Sequence, residues 1–173
     1  VSSRGNIEWM CWPRFDGNAL FGKLLDEEKG GSFSIDILEE YKSQQSYLKN
    51  TNILETSFSS TSWKFKVIDF APRYKQNSRY NKPQVLIRRI VPEKGSVKIK
   101  ITCDPKEQYG MQIVEHQQRS NHLTWMIGER KVRLYCSIPL SYINGSEINL
   151  DEPIDLILSN ELPINDDIQM FCN

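Results

Sequence analysis

Histidine is scarce and glycine hardly clusters. His116 and His122 are the only histidines in 173 residues, and the four cysteines, at positions 11, 103, 136 and 172, include no Cys-x-x-Cys pair. This spacing offers no zinc site and no redox couple. Gly30-Gly31 is the only adjacent glycine pair, which is too little to cradle a phosphate. No apolar run approaches the roughly 18 residues of a membrane span. Neither sign of charge is in excess, with 22 Lys+Arg against 22 Asp+Glu. The basic surplus that nucleic-acid phosphates or an anionic membrane surface would demand is missing. No metal, cofactor, nucleic acid or membrane partner is therefore expected.

Chemistry-bearing arrangements are equally sparse. A nucleophilic triad needs a base oriented by a third group, and no serine or cysteine elbow flanks His116 or His122; both read as strand-surface residues. The acidic clusters Asp26-Glu27-Glu28, Glu39-Glu40, Asp151-Glu152 and Asp166-Asp167 lie in polar stretches and read as solvated charge. No catalytic residue is expected in this chain. Cys11, Cys103 and Cys136 continue apolar alternations and read as small buried hydrophobes. All four thiols are expected to be reduced, in keeping with a cytoplasmic location. Val1 opens the chain without Met and in mid-pattern, as a fragment of a longer protein would, and no leader is visible. Asn144-Gly145-Ser146 matches a glycosylation sequon, but its Asn-Gly reads better as a tight turn.

The chain does carry strands. It is 39% apolar and 25% charged, which fits one soluble domain with a sizeable core. In "SVKIKITCD" (96–104), Val97, Ile99, Ile101 and Cys103 face one way and Lys98, Lys100, Thr102 and Asp104 the other. This is the period of an antiparallel strand with one wet face. "SWKFKV" sets Trp63, Phe65 and Val67 against two lysines. "HLTWMI" sets Leu123, Trp125 and Ile127 against Thr124 and Met126. "KVRLYCS" sets Val132, Leu134 and Cys136 against Arg133 and Tyr135. Less regular strands are predicted at 7–12, 33–37, 53–59, 84–91, 111–117 and 154–158. "PEKG" (92–95) is expected to reverse the chain, and "GER" (128–130) leaves room only for a tight hairpin. Asn18 could cap one short helix, "ALFGKLL", although Gly22 inside it costs roughly 1 kcal/mol relative to Ala. "YKQNSRYNKP" (74–83) reads as a long polar loop. The expectation is all-β: a large antiparallel β-sandwich with one short helix over residues 1–160, and a linker or exit segment over 161–173.

The stretch "WMCWPRFDGNALFGKLLDEEKGG" (9–31) stands apart, because Trp9, Trp12 and Phe15 crowd around Arg14 and Asp16. Together with later segments it resembles the amino-terminal domain of prokaryotic glycoside hydrolase family 15 proteins, the glucoamylase-like and trehalase-like enzymes. "GNIEWMCWPRFDGNALFGKLLD" is similar to that family's G-S-I-D-W-L-C-x-P-R-F-D segment. "YLKNTNILETSF" (47–58), "VIDFAPR" (67–73), "LIRRIVPEKGSVKIKI" (86–101) and "DPKEQYG" (104–110) follow in the family's order. Trp12, Gly17, Lys49 and Ala71 depart from the residues usual there, and none of them touches a charged landmark.

The resemblance implies a large, supersandwich-like β-sandwich that packs on a carboxy-terminal helical (α/α)6 barrel. There, two glutamates hydrolyse a glucoside with inversion, their carboxyls about 6.5–9.5 Å apart. Nothing in this chain supplies that barrel, so the chain is expected to be the non-catalytic part of a carbohydrate-active enzyme acting on an alpha-glucoside or related oligosaccharide. The residues singled out are Trp12, Arg14, Phe15 and Asp16. They are read either as sugar-pocket or domain-interface groups, or as a simple salt bridge beside core aromatics. Asp69 and Arg73 face the same choice and lean towards structure, since a buried Asp in a turn commonly caps backbone N–H groups. A stand-alone sugar-binding module and a purely structural domain are the alternative readings of the whole.

Overall fold

The computed structural model describes residues 1–76, 78–112 and 114–160. In chain order the strands are β1 (Met10–Cys11), β2 (Ala19–Phe21), β3 (Phe33–Ile37), β4 (Lys42–Tyr47), β5 (Leu54–Ser59), β6 (Lys64–Phe70), β7 (Tyr74–Gln76) and β8 (Arg79–Asn81). There follow β9 (Val85–Lys94), β10 (Lys98–Cys103), β11 (His116–Gln118), β12 (His122–Ile127), β13 (Arg130–Cys136), β14 (Ile148–Asn149) and β15 (Ile154–Ser159). Two 3-10 turns, Gln108–Gly110 and Leu140–Tyr142, are the helical segments among the described residues.

Eight strands form one antiparallel sheet in the order β11-β12-β13-β15-β9-β6-β5-β4, and β14-β10-β3 form a second. Their facing side chains make the core. Phe33, Ile35, Ile99, Ile101 and Cys103 of the small sheet meet Phe58, Phe65, Val67, Ile90, Trp125 and Leu134 of the large one. The all-β sandwich is thus present, the alternation in β6 and β10 falls as the sequence predicts, and the less regular strand at 53–59 is β5. The centre of the large sheet is buried on both faces. Tyr135, read as solvent-facing, packs with Val85, Ile87 and Ile157 in a second, smaller cluster.

The short helix is not there. Ala19, Leu20 and Phe21 are all buried, leaving no polar face for a helix to turn outward, and they form β2 against β1 instead. Gly22 then meets the far side of a loop backbone to backbone, its N–H donating to the Gly30 carbonyl at 2.7 Å. A Cβ on Gly30 would collide with the Gly22 carbonyl, so the glycines close a loop where the sequence suggested a helix stop. Asp26 caps that loop by accepting from the Glu28 and Lys29 N–H groups.

The reversal predicted at 92–95 comes later, because β9 runs on to Lys94. Pro92 is accommodated opposite Phe65, where the register with β6 is irregular and a missing N–H is tolerated. Gly95 (φ 60) makes the turn. The 128–130 hairpin is as tight as expected, with Gly128 and Glu129 joining β12 to β13. Asn144 (φ 60) sits in the Asn-Gly turn, and its side chain bonds both the N–H and the carbonyl of Cys103. The polar stretch 74–83 contains the β7–β8 hairpin, and the polar "KSQQSY" is edge strand β4. Of the strand predicted at 111–117, His116–Gln118 is observed as β11. The segment 161–173 lies outside the described residues.

Candidate functional site

The opening loop leaves the sandwich where β1 ends. The Trp12–Pro13 peptide is cis, and Gly17 N–H closes a turn on the Arg14 carbonyl at 3.2 Å. Within that turn Arg14 grips Asp16 with two parallel bonds, Nε to Oδ1 at 2.9 Å and Nη2 to Oδ2 at 2.8 Å. Both side chains stay largely in solvent. The guanidinium holds the Asp16 carboxyl below the ordinary carboxylate range. Phe15, between them, is 90% exposed.

Other apolar groups are exposed around this loop. The rings of Trp9 and Tyr109 stack at 6.3 Å, and the Leu24 N–H bonds the carbonyl of Glu8, next to Trp9. Leu24, Leu25 and Met111 are each about two-thirds exposed or more. Trp12 is half-buried. Its indole Nε1 is inaccessible to solvent and has no hydrogen-bond partner among the described residues.

Behind the loop lies a cleft of about 460 Å³, walled by Trp12 and Asn18, by Lys106 to Gln108, by the β12–β13 turn and by Asn160. Lys106 is anchored to the site twice: its N–H donates to the Leu20 carbonyl at 2.8 Å, and its ammonium pairs with Asp104 at 2.9 Å.

Asp69 lies in the interior of β6, where it pairs across the sheet with Arg88, and is not in a turn as predicted. Arg88 is completely buried. Its Nε donates to Asp69 Oδ1 at 2.7 Å and its Nη2 to Oδ2 at 3.1 Å. Nη1 donates to the Phe33 carbonyl at 2.8 Å and Nη2 also to the Gly5 carbonyl at 2.6 Å. Its guanidinium lies 4.9 Å from the centre of the Phe33 ring. One side chain thus ties β6, β3 and the segment leading into the opening loop. Arg73, grouped with Asp69 in the sequence, is exposed and makes no hydrogen bond or ion pair among the described residues.

Arg88 is the residue that sequence reasoning missed. Its signal was "LIRRIV": two consecutive arginines in a period-two strand must point to opposite faces, so one of them enters the core. Arg89, on the other face, lies 3.4 Å from buried Asp155.

The remaining titratable groups are accounted for. His116 and His122 lie on β11 and β12. Burial, reinforced by Arg133 and Arg119, lowers the pKa of His122. Glu39 accepts from the buried Trp63 indole at 2.7 Å. Cys11, Cys103 and Cys136 are free thiols. Burial pushes the Cys136 thiol up to about 11, and Cys103 higher still. Among the described residues no three His, Cys, Asp or Glu side chains gather as metal ligands, and no helix is long and apolar enough to cross a membrane.

Comparison with known proteins narrows the identity. Trehalase 1 of Sulfolobus acidocaldarius is 45% identical over 69 residues, covering 39% of this chain and 12% of that protein. The trehalase of Thermoplasma volcanium is 37% identical over 129 residues, 68% of this chain and 19% of that protein. The trehalase of Mycobacterium tuberculosis is 26% identical over 126 residues, 63% of this chain and 18% of that protein. The chain thus spans less than a fifth of the length of these curated relatives. No solved structure matches it significantly. The family described as "Trehalase-like, N-terminal" matches residues 1–138, and with most of its length so matched the chain belongs to that family of amino-terminal domains.

Proposed function

We propose that this chain is the non-catalytic amino-terminal domain of a trehalase-like inverting glycoside hydrolase, and that its loop-bearing end docks on the catalytic domain. Residues 1–160 form the sandwich. Residues 161–173 begin the connection to a helical barrel of the (α/α)6 kind, which carries the catalytic carboxylates. The observation that carries this reading is the exposed apolar set Trp9, Phe15, Leu24, Leu25, Tyr109 and Met111 on and beside the opening loop. Exposed large apolar side chains in such number mark an interaction site where they gather, as Trp9 and Tyr109 do by stacking. Arg14 and Asp16 stand on the same loop. Held as a fork-to-carboxylate pair, they can bond sugar hydroxyls or backbone groups at the rim of the sugar pocket, and Trp12 and Phe15 offer faces on which a pyranose stacks.

The relatives' names make an alpha-glucoside the natural substrate of the whole enzyme, and carbohydrate metabolism its setting. The free thiols suit a reducing cytoplasm. The test is trehalose hydrolysis by the full-length enzyme and by this chain alone. The chain alone is expected to be inactive. In the full-length enzyme, Phe15→Ser with Leu24→Ser is expected to lower activity and to expose the interdomain surface to limited proteolysis, leaving the fold of the isolated chain intact. Unchanged activity and proteolysis in that variant would refute docking through this end.

A further inference from the structure

The β7–β8 hairpin carries a charge that nothing beside it in the sequence balances. From Ala71 to Gln84 there are four cations, Arg73, Lys75, Arg79 and Lys82, and no Asp or Glu, in a chain whose charges cancel as a whole. All four are exposed. None forms an ion pair among the described residues, whereas Lys64, Lys66 and Lys106 each meet a carboxylate. The hairpin's register gathers these charges. Lys75 stands opposite Tyr80, and Tyr74 opposite Asn81. Opposed residues share a face, and successive pairs alternate between faces. The same register carried one step outward therefore sets Arg73 against Lys82, on the face of Lys75 and Tyr80. Like charges directly opposite each other repel. Beside them Tyr80 is 75% exposed. The two strands pair with each other in a sheet of two, and a lone two-stranded hairpin is marginally stable in water. Three cations and an open aromatic ring on such a hairpin call for an acidic occupant.

The last described residues lie at the foot of this hairpin. Ser159 pairs with Val85, the first residue of β9. The Asn160 side-chain amide donates to Gln84 Oε1 at 2.7 Å, and Gln84 is two residues from Lys82. The sequence that follows, 161–173, holds Glu161, Asp166 and Asp167 and no Lys, Arg or His. We propose that the face bearing Arg73, Lys75, Tyr80 and Lys82 is the docking surface for this acidic segment of the same chain. Reach permits it. Asp167 is seven residues past Asn160, an extended span of up to about 24 Å, and a strand of three residues covers only about 10 Å. Carboxylates between Arg73 and Lys82 relieve their repulsion, and the arginine can grip one of them with a two-bonded fork. Exposed ion pairs are weak singly. Several made at once, by a segment already tethered at the hairpin's foot, hold far better. Nucleic acid fits less well, since the chain has no net positive charge with which to attract it. The consequence is directional: the docked segment leaves the sandwich along the hairpin, which fixes the heading of the chain beyond it. This goes beyond the docking of the loop-bearing end and uses none of the residues invoked there, so either can fail without the other.

The test places a nitroxide at position 165 of this chain, labelled with nitrogen-15, through Asn165→Cys with Cys11→Ser and Cys172→Ser; the remaining thiols, Cys103 and Cys136, are buried. The Lys75 and Tyr80 amides are expected to lose their signals to the nitroxide, while that of Lys94, at the far end of β9, is kept. Raising the salt from about 0.01 M to about 1 M, which shortens the screening length roughly tenfold, is expected to bring both signals back. Asp166→Lys with Asp167→Lys is expected to do the same at low salt. Adding Lys75→Glu and Lys82→Glu to that variant is expected to quench the two amides again, since the charges are then exchanged and not removed. Signals that survive in the starting protein would overturn the proposal. So would quenching that persists in the two-lysine variant or at high salt, or a charge-exchanged variant that stays bright. Quenching between separate nitroxide-bearing and nitrogen-15-bearing copies would assign the surface to a second chain instead. A saturable shift of the Lys75 and Tyr80 amides with inorganic phosphate would make it an open anion site, and either result would likewise overturn the proposal.

Discussion

Two arginine–aspartate pairs in this molecule have nearly the same geometry and opposite surroundings. Arg88 and Asp69 are sealed in the core, with two backbone carbonyls completing the guanidinium's bonds. Arg14 and Asp16 make the same two-bonded fork in open water, two residues apart on one loop. The first pair is part of how the chain folds. The second adds little to folding, since solvent and salt screen it, yet it fixes two charged groups at a defined place on the surface. The same motif is therefore a buried clamp in one setting and an exposed fork in the other, and only burial tells them apart.

The largest expected effect comes from breaking the buried clamp. Arg88→Ala or Asp69→Ala leaves an uncompensated buried charge, at a cost of roughly 3–5 kcal/mol. For a domain of this size the melting temperature should fall by about 6–20 °C. Replacing both residues, with Arg88→Met and Asp69→Leu, should recover most of that loss. If the single variants melt like wild type, the clamp is dispensable and the contrast between the two pairs collapses.

Next comes the exposed pair. Arg14→Ala or Asp16→Ala should leave melting of the isolated chain unchanged. In the full-length enzyme each should lower kcat/KM roughly ten- to a hundredfold, as when one member of a partly desolvated pair loses its partner. Unaltered kinetics with altered melting would make this pair structural as well.

A smaller effect concerns acid. Because Arg14 depresses the Asp16 pKa, the order that the pair imposes on the loop is fully present above the ordinary Asp value. It is lost as pH falls through the lowered folded value. Carboxyl NMR should find the Asp16 midpoint below that of a free aspartate, returning to the ordinary value in Arg14→Ala and drifting upward with added salt. A midpoint insensitive to Arg14 would dissolve the pair. The smallest expected signal is chemical. Cys136, with its thiol raised to about 11, and the buried Cys103 should resist alkylation in the native chain near neutral pH. After denaturation without reductant all four cysteines should label, and a protected pair would reveal a disulfide.

Much of this architecture was legible in the chain. Wherever one face is wet, alternation between lysines and branched residues, as in 98–103, set strand and facing together. It could not give the facing where both faces are covered: Tyr135, read as solvent-facing, is buried, and so is all of β15, foreseen as a strand at 154–158, because period two has no contrast to show there. It failed too for β4, whose residues are polar on both sides and whose strand form is imposed by pairing with β5. The stretch 19–25 misled because three consecutive buried residues fit a short strand or a helix equally well, and only the Gly22–Gly30 backbone contact decides. For the candidate site, the sequence pointed to Arg14 and Asp16 as a charged pair beside aromatics. It gave no sight of Arg88 reaching Gly5, 83 residues away, because such a contact is made by the fold and not by spacing.

The large sheet ends on one side in "KSQQSY" and on the other in "HQQ", both strands turned almost wholly to solvent. An open sheet of eight strands would otherwise be a template for adding further chains edge to edge, the first step towards fibrous aggregates. Short polar borders, with Lys42 on one of them, make such addition unrewarding. Such margins are poor seats for another folded body, in keeping with the docking proposed for the loop-bearing end.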